Sequence, residues 1–192
     1  MKDQKLACQV TLLGHLVSKQ NTVRYFADGT AILLLDIVVK KTWTSAQGEQ
    51  KIQESFFTVR ALDQLAQEVA LGLQAGDAIF VQGILGKYLD ATQIRIAGKN
   101  NLYWNQAYCC GEVVKIEHLK TVNDLDYTKV HLQLEHHQME VNLRGKTAKL
   151  MRDKLSLQSH LLVEGAISSK STKVKDAFER HYWLDGHTCV CF

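Results

Sequence analysis

The chain has 192 residues, 46% of them hydrophobic and 22% charged, with a formal net charge of +3 and five cysteines. That length holds one large domain or two small ones, and no apolar run approaches the roughly 20 residues of a membrane-spanning helix. The N-terminal MKDQKLACQV carries no apolar signal core, and the odd cysteine count fits a reducing compartment, so a cytoplasmic location is expected. A charge of +3 does not by itself call for a polyanion partner; the distribution of the charges has to do that.

Residues 6–16, LACQVTLLGHL, alternate well enough to predict a first strand, with Gly14 as a bend in it. Asp28-Gly29 marks a tight turn after Arg24-Tyr25-Phe26. Residues 31–40 predict a second strand with Ile32, Leu34, Asp36 and Val38 on one face. The polar run KKTWTSAQGEQKIQ at 40–53 then reads as a hairpin that projects from the body of the fold. Strand, helix and strand follow over residues 54–85. Phe57, Val59 and Ala61 alternate with more polar neighbours, and Leu65, Ala66, Val69, Ala70 and Leu73 fall at helical spacing. Ala75-Gly76-Asp77 is the expected helix stop, and Gly83 marks a bulge or a close backbone approach in the next strand. Residues 88–97 supply a fifth strand, and 98–107 read as a linker.

The second half repeats the first. Val81-Gln82-Gly83-Ile84 and Val163-Glu164-Gly165-Ala166 stand 82 positions apart, and at that offset Phe57 meets Met139, Val59 meets Val141 and Ala61 meets Leu143. In the helix Ala66 meets Ala148, Val69 meets Met151 and Leu73 meets Leu155. Apolar meets apolar throughout, which is the mark of an internal repeat of one supersecondary unit. The copy predicts strands at 108–119, 127–134, 139–144 and 160–168, a turn at Asn123-Asp124, and a helix over 147–155. A basic connection at 169–176 leads to a last strand at 180–185 and a tail. One helix between the third and fourth of five strands is how an OB barrel is plugged, so the fold class is all-β, with two tandem OB-fold domains at 1–104 and 105–192.

Such barrels bind single strands through a basic groove in which bases stack on aromatic rings. The first half holds those parts. Lys40, Lys41, Lys51 and Trp43 sit on the projecting hairpin, Phe56 and Arg60 on the following strand, Lys87 and Tyr88 beyond the fourth, and Arg24 before the second. The competing reading of Phe56-Phe57 is core, since one of two adjacent strand residues must face inward. Lysine runs are equally often a solvated edge.

The first half also resembles the bacterial single-stranded DNA-binding proteins. The resemblance runs over about residues 6–97 and rests on Val10–Gly14, Val23-Arg24-Tyr25, Asp28-Gly29-Thr30, Trp43, Gly48-Glu49, Ser55-Phe56-Phe57-Thr58-Val59, Leu65-Ala66, and Gly76-Asp77 with Phe80–Gly83. It implies base stacking at Trp43 and Phe56, with Tyr88 close to a third such position. Leu62 stands where the family often has another aromatic. The chain ends in Cys189-Val190-Cys191-Phe192 rather than in an acidic tip, so the family's recruiting tail is not carried over. Four OB domains are the usual assembly, which implies a homodimer of a chain that holds two.

The second half lacks the aromatic hairpin, although Lys170, Lys173, Lys175, Arg180, Tyr182 and Trp183 crowd towards its end. Cys109-Cys110, Cys189, Cys191 and His187 do not form a C-x-x-C pair, and neighbours on a strand point to opposite faces, so no metal or other cofactor is expected. No Walker loop, nucleophile elbow or dinucleotide fingerprint is present, and the chain is not expected to be an enzyme. The expected function is coating and protecting single-stranded DNA in replication, recombination, repair or mobile-element transfer, with replication or recombination proteins as possible partners. The rival is an OB-fold protein-interaction module, such as a primosome or recombination mediator, with weak nucleic-acid binding.

Overall fold

The computed structural model describes residues 6–17, 22–45, 47–121, 124–174 and 177–192. In chain order the elements are β1 (Cys8–Leu16), β2 (Arg24–Tyr25), β3 (Ala31–Thr44), β4 (Gln50–Leu62), α1 (Asp63–Gly72), β5 (Ala78–Leu85) and β6 (Leu89–Gly98). After these come β7 (Trp104–Lys120), β8 (Asp126–Gln133), β9 (Gln138–Arg144), α2 (Gly145–Met151), β10 (His160–Val174) and β11 (Ala177–Cys191). The chain divides into two compact units. The N-terminal unit comprises Val10–Asn105 and Ser169–Arg180; the C-terminal unit comprises the described residues of Met1–Gln9, Gln106–Ser168 and His181–Phe192.

In the N-terminal unit β1 lies beside β5, β5 runs antiparallel to β6, and β6 parallel to β4. Antiparallel β4 and β3 follow, and β3 returns to β1 at His15–Val38 and Leu16–Ile37. That closed circuit, with α1 between its third and fourth strands, is an OB barrel. Closure removes the free edges that an open sheet of this length would expose. Its interior is filled by Leu33, Leu35, Ile37, Phe57, Val59 and Ile79, all fully buried. Gly14 does more than bend β1. A Cβ there would stand 2.9 Å from the Val38 carbonyl oxygen, so the residue lets β3 close against β1.

The C-terminal unit repeats the circuit. β7 pairs antiparallel with β8 and β8 with β9; β9 runs parallel to β11, β11 lies beside β10, and β10 pairs back to β7. Every repeat partner expected to be apolar core on β4 and β9 is buried: Phe57 and Met139, Val59 and Val141, Ala61 and Leu143. The helical pairs Ala66–Ala148 and Val69–Met151 are buried as well. Leu73 and Leu155 differ, because α2 ends at Met151 and leaves Leu155 half-buried in the turns beyond it.

Two backbone features recur at the same offset. Gly83 and Gly165 each lie under a crossing strand, where an added Cβ would meet the Asp90 or the Asp185 carbonyl oxygen at 2.2 or 2.1 Å. Asp63 and Gly145 begin the helices with positive φ, 50° and 54°, which is the sharp corner between strand and helix. An aspartate can occupy the first position, because its short polar side chain is among those that adopt the left-handed region, and a glycine takes the second without steric cost.

Several expected boundaries move. α1 ends at Gly72, where Leu73 N–H bonds the Val69 carbonyl at 3.2 Å, and Gly76 (φ 81°) belongs to a separate turn. The expected linker at 98–107 is shorter, since β7 already begins at Trp104. The expected basic connection after Ser168 and the expected tail after Asp185 are strand instead, in β10 and β11. Exposed on both faces beyond Ser169, that part of β10 has no apolar alternation to betray it. Asn123 and Lys175 lie outside the described residues.

Because the clash at Gly83 and Gly165 is with backbone, neither neighbour can move aside cheaply. Gly83→Ala and Gly165→Ala should each destabilise the protein by about 1–3 kcal/mol, the range for overpacking. Thermal melts would check this, and unchanged melting temperatures would contradict the close approach.

Candidate nucleic-acid interface

The β3–β4 ladder runs without a break from Ile32–Leu62 to Thr44–Gln50. With a side-chain period of two, that register assigns every residue of the hairpin to one of two faces. Leu33, Leu35, Ile37, Phe57, Val59 and Ala61 enter the core. Phe56, Thr58, Arg60 and Leu62 share the outer face with their ladder partners Val38, Asp36, Leu34 and Ile32. The adjacent phenylalanines therefore split: Phe57 is fully buried and Phe56 is half-buried on the outside.

The same register separates residues that the sequence grouped. Lys40 pairs with Glu54 on the face of Phe56, whereas Trp43 pairs with Lys51 and falls with Lys41 on the opposite face of the arm. Trp43 is 41% exposed, far more than a core tryptophan would be. Lys41 and Lys51 are exposed beside it. A strand of nucleic acid that touches both Trp43 and Phe56 has to pass around the arm.

At the other end of the outer face Arg60 chelates Asp90, with Nε–Oδ1 and Nη2–Oδ2 distances of 2.5 and 2.8 Å. This hydrogen bond raises the Arg60 pKa above its ordinary value. The guanidinium carbon stands 5.3 Å from the centre of the Tyr88 ring, and Lys87 Nζ stands 5.6 Å from it, so two cations bracket one half-buried aromatic. Lys40 is likewise engaged, 2.8 Å from Glu54, whose hydrogen bond holds the ammonium pKa above its usual value. The cations of this surface are therefore of two kinds. Lys40 and Arg60 already have a carboxylate, while Arg24, Lys41, Lys51 and Lys87 have no ion pair among the described residues.

Arg24 stands in a feature that the sequence did not single out as a site. Thr22, Arg24, Tyr25, Phe26, Ile32 and Leu34 line an open cavity of about 550 Å³. Tyr25 and Phe26 are 63% and 53% exposed, and Leu34 and Leu62 are also exposed. The only signal for this corner was the Tyr25-Phe26 pair next to an Asp-Gly turn, with no apolar stripe to absorb either ring. A ring pair beside an arginine, above an apolar floor, is what base stacking needs.

The candidate surface at the end of the chain is divided. Lys170, Lys173 and Arg180 count with the N-terminal unit, while Tyr182 and Trp183 count with the C-terminal unit, where Tyr182 is buried. In the C-terminal unit the face that corresponds to β3–β4 is occupied by internal pairs. Lys129 meets Glu140 at 3.3 Å, Tyr127 Oη donates to Asn142 Oδ1 at 2.6 Å, and the Arg144 guanidinium lies 5.7 Å from the Tyr127 ring centre.

A closed barrel with outward aromatics and unpaired cations has its counterpart among known proteins. Residues 8–95 match the model of the single-strand binding protein family. The match spans the N-terminal barrel alone. Two solved structures of the single-stranded DNA binding protein from Thermus aquaticus share the architecture of the whole chain. A deletion variant aligns at a TM-score of 0.82 and 20% identity, covering 97% of this chain and 94% of that one. The wild-type structure aligns at 0.78 and 21%, covering 95% and 91%. These likenesses carry the two-barrel fold. No curated protein sequence is a significant match.

Tyr25→Ala and Phe26→Ala should each weaken binding of a single-stranded oligonucleotide about fivefold to tenfold, the lower part of the range for one stacked base. Melting temperatures should not change, since both rings are more than half exposed. Unchanged affinity in both variants would remove this corner from the interface.

Proposed function

We propose that this protein coats single-stranded DNA without catalysing a reaction on it, and that the N-terminal barrel supplies the principal contact. The match of residues 8–95 to the single-strand binding protein family supports the reading. The observation that carries it is the split of Phe56 from Phe57, which leaves one ring on the outside of a barrel whose core is already filled. Trp43, Phe56 and Tyr88 stack bases, while Arg24, Lys40, Lys41, Lys51, Arg60 and Lys87 neutralise phosphates. The paired cations among them exchange a carboxylate for a phosphate, so their net contribution is smaller than that of the free ones. Exposed stacking is indifferent to base identity because every base has a π-face.

The tandem barrels bear on assembly. Two copies of a two-barrel chain bring four barrels together, and we propose a homodimer on that count. The cytoplasm is the proposed location, with roles in replication, recombination or repair. No helix among the described residues is long and apolar enough to cross a membrane.

The test is a pair of single variants and their combination, titrated with oligo(dT). Trp43→Ala and Phe56→Ala together should weaken binding roughly 100-fold, with each contributing a stack of about 1–3 kcal/mol. Log affinity should fall linearly with log salt, with a slope of about −0.7 for each phosphate contacted. Retention of full affinity by the double variant would overturn the site. Light scattering at micromolar concentration should give twice the chain mass, and the mass of a single chain would refute the dimer.

A further inference from the structure

The outer face of β3–β4 has a carboxylate, Asp36, at its middle, midway between Phe56 and Arg60 along the ladder. A bare negative charge there would repel the phosphates that Lys40 on one side and Arg60 on the other attract. The described residues of Ser169–Arg180, at the end of β10 and the start of β11, belong to the same unit, and Ser169 and Arg180 touch this face. Arg180 Nη1 donates to Asp36 Oδ1 at 2.5 Å and also to Thr58 Oγ1, and Thr58 Oγ1 itself donates to Asp36 Oδ1 at 2.9 Å. The Arg180 side chain is only 14% exposed, and its Nε is buried without a hydrogen-bond partner. Two residues back along β4, the Phe56 N–H donates to Ser169 Oγ at 2.8 Å. Past Ser169 the strand carries exposed Lys170 and Lys173.

We propose that Arg180 is a positioning residue of the single-strand interface: it cancels Asp36 and, with Ser169, latches the adjoining ends of β10 and β11 onto the face, so that Lys170 and Lys173 form one wall of the strand's path. The proposal rests on the N-terminal barrel being the strand-binding surface. Three observations converge on it. The guanidinium contacts a residue of each of β3 and β4; the serine fixes the backbone of the very residue whose ring faces outward; and the end of β10 then offers charge rather than apolar cover. An apolar strand end would have occluded Phe56, whereas two solvated lysines at this place extend the basic groove.

The readouts are oligo(dT) affinity and its salt dependence in four variants: Arg180→Ala, Arg180→Lys, Arg180→Ala with Asp36→Asn, and Lys170→Ala with Lys173→Ala. Arg180→Ala should bind about tenfold more weakly, the effect of losing one charge-assisted contact, and Arg180→Lys should recover part of that loss. Adding Asp36→Asn should restore affinity by removing the exposed carboxylate, which a general loss of folding would not allow. The double lysine variant should flatten the salt slope by up to about 1.4, twice the value for one phosphate on a single strand. Tighter binding by Arg180→Ala would mean that these strand ends are a cover and would overturn the proposal, as would unchanged binding. If the unaltered protein failed to bind oligo(dT), the strand-binding reading itself would fall; if it bound and Arg180→Ala matched it, only the latch would.

Discussion

The interaction on which the rest depends is the unbroken antiparallel ladder between β3 and β4. Because its register never shifts, one residue of Phe56-Phe57 must enter the core and the other must leave it. The inward set closes the barrel around Phe57. The outward set, from Ile32–Leu62 through Asp36–Thr58 to Lys40–Glu54, becomes a continuous surface on which apolar residues and charges alternate. A slip by one residue would exchange the two sets and lose barrel and interface together. Stability of the core and the outward position of Phe56 are therefore two consequences of one constraint.

The same ladder gives the surface its electrostatic character. Acidic partners hold two of its cations, Lys40 and Arg60, and a third, Arg180, is spent on Asp36. What remains free is distributed along the arm, at the β2 corner and at Lys87 between β5 and β6 rather than concentrated at one point. That dispersal suits a ligand whose charge repeats along its length, and it explains how a chain with a net charge of only +3 can present a basic path.

Much of this was legible in the sequence, for identifiable reasons. Core periodicity on β4 and α1, and its echo 82 residues later, reported both barrels because burial forces apolar residues to recur. The glycines at 83 and 165 reported the strand crossing because no side chain fits there. What the sequence could not report was geometry without a hydrophobic signature. The opposite faces of Trp43 and Phe56 follow from hairpin register, and one residue more or less in the turn would reverse them. The Arg180–Asp36 contact joins residues 144 positions apart, across a hairpin of exposed polar strands that resembles a loop. Tyr25 and Phe26 were visible as residues, but only the placement of β2 beside Ile32 and Leu34 turns them into a cavity wall.

The central claim is that single strands stack on the aromatic arm of the N-terminal barrel. Titrating the protein with oligo(dT) while following tryptophan fluorescence, at low and high salt and with duplex DNA as control, tests it most directly. Trp43→Phe separates its signal from those of Trp104 and Trp183. The account predicts strong quenching by single strands that weakens with salt, fades in Trp43→Phe, and is largely absent with duplex. Quenching that is equal for duplex and single strands, or unchanged in Trp43→Phe, would contradict it.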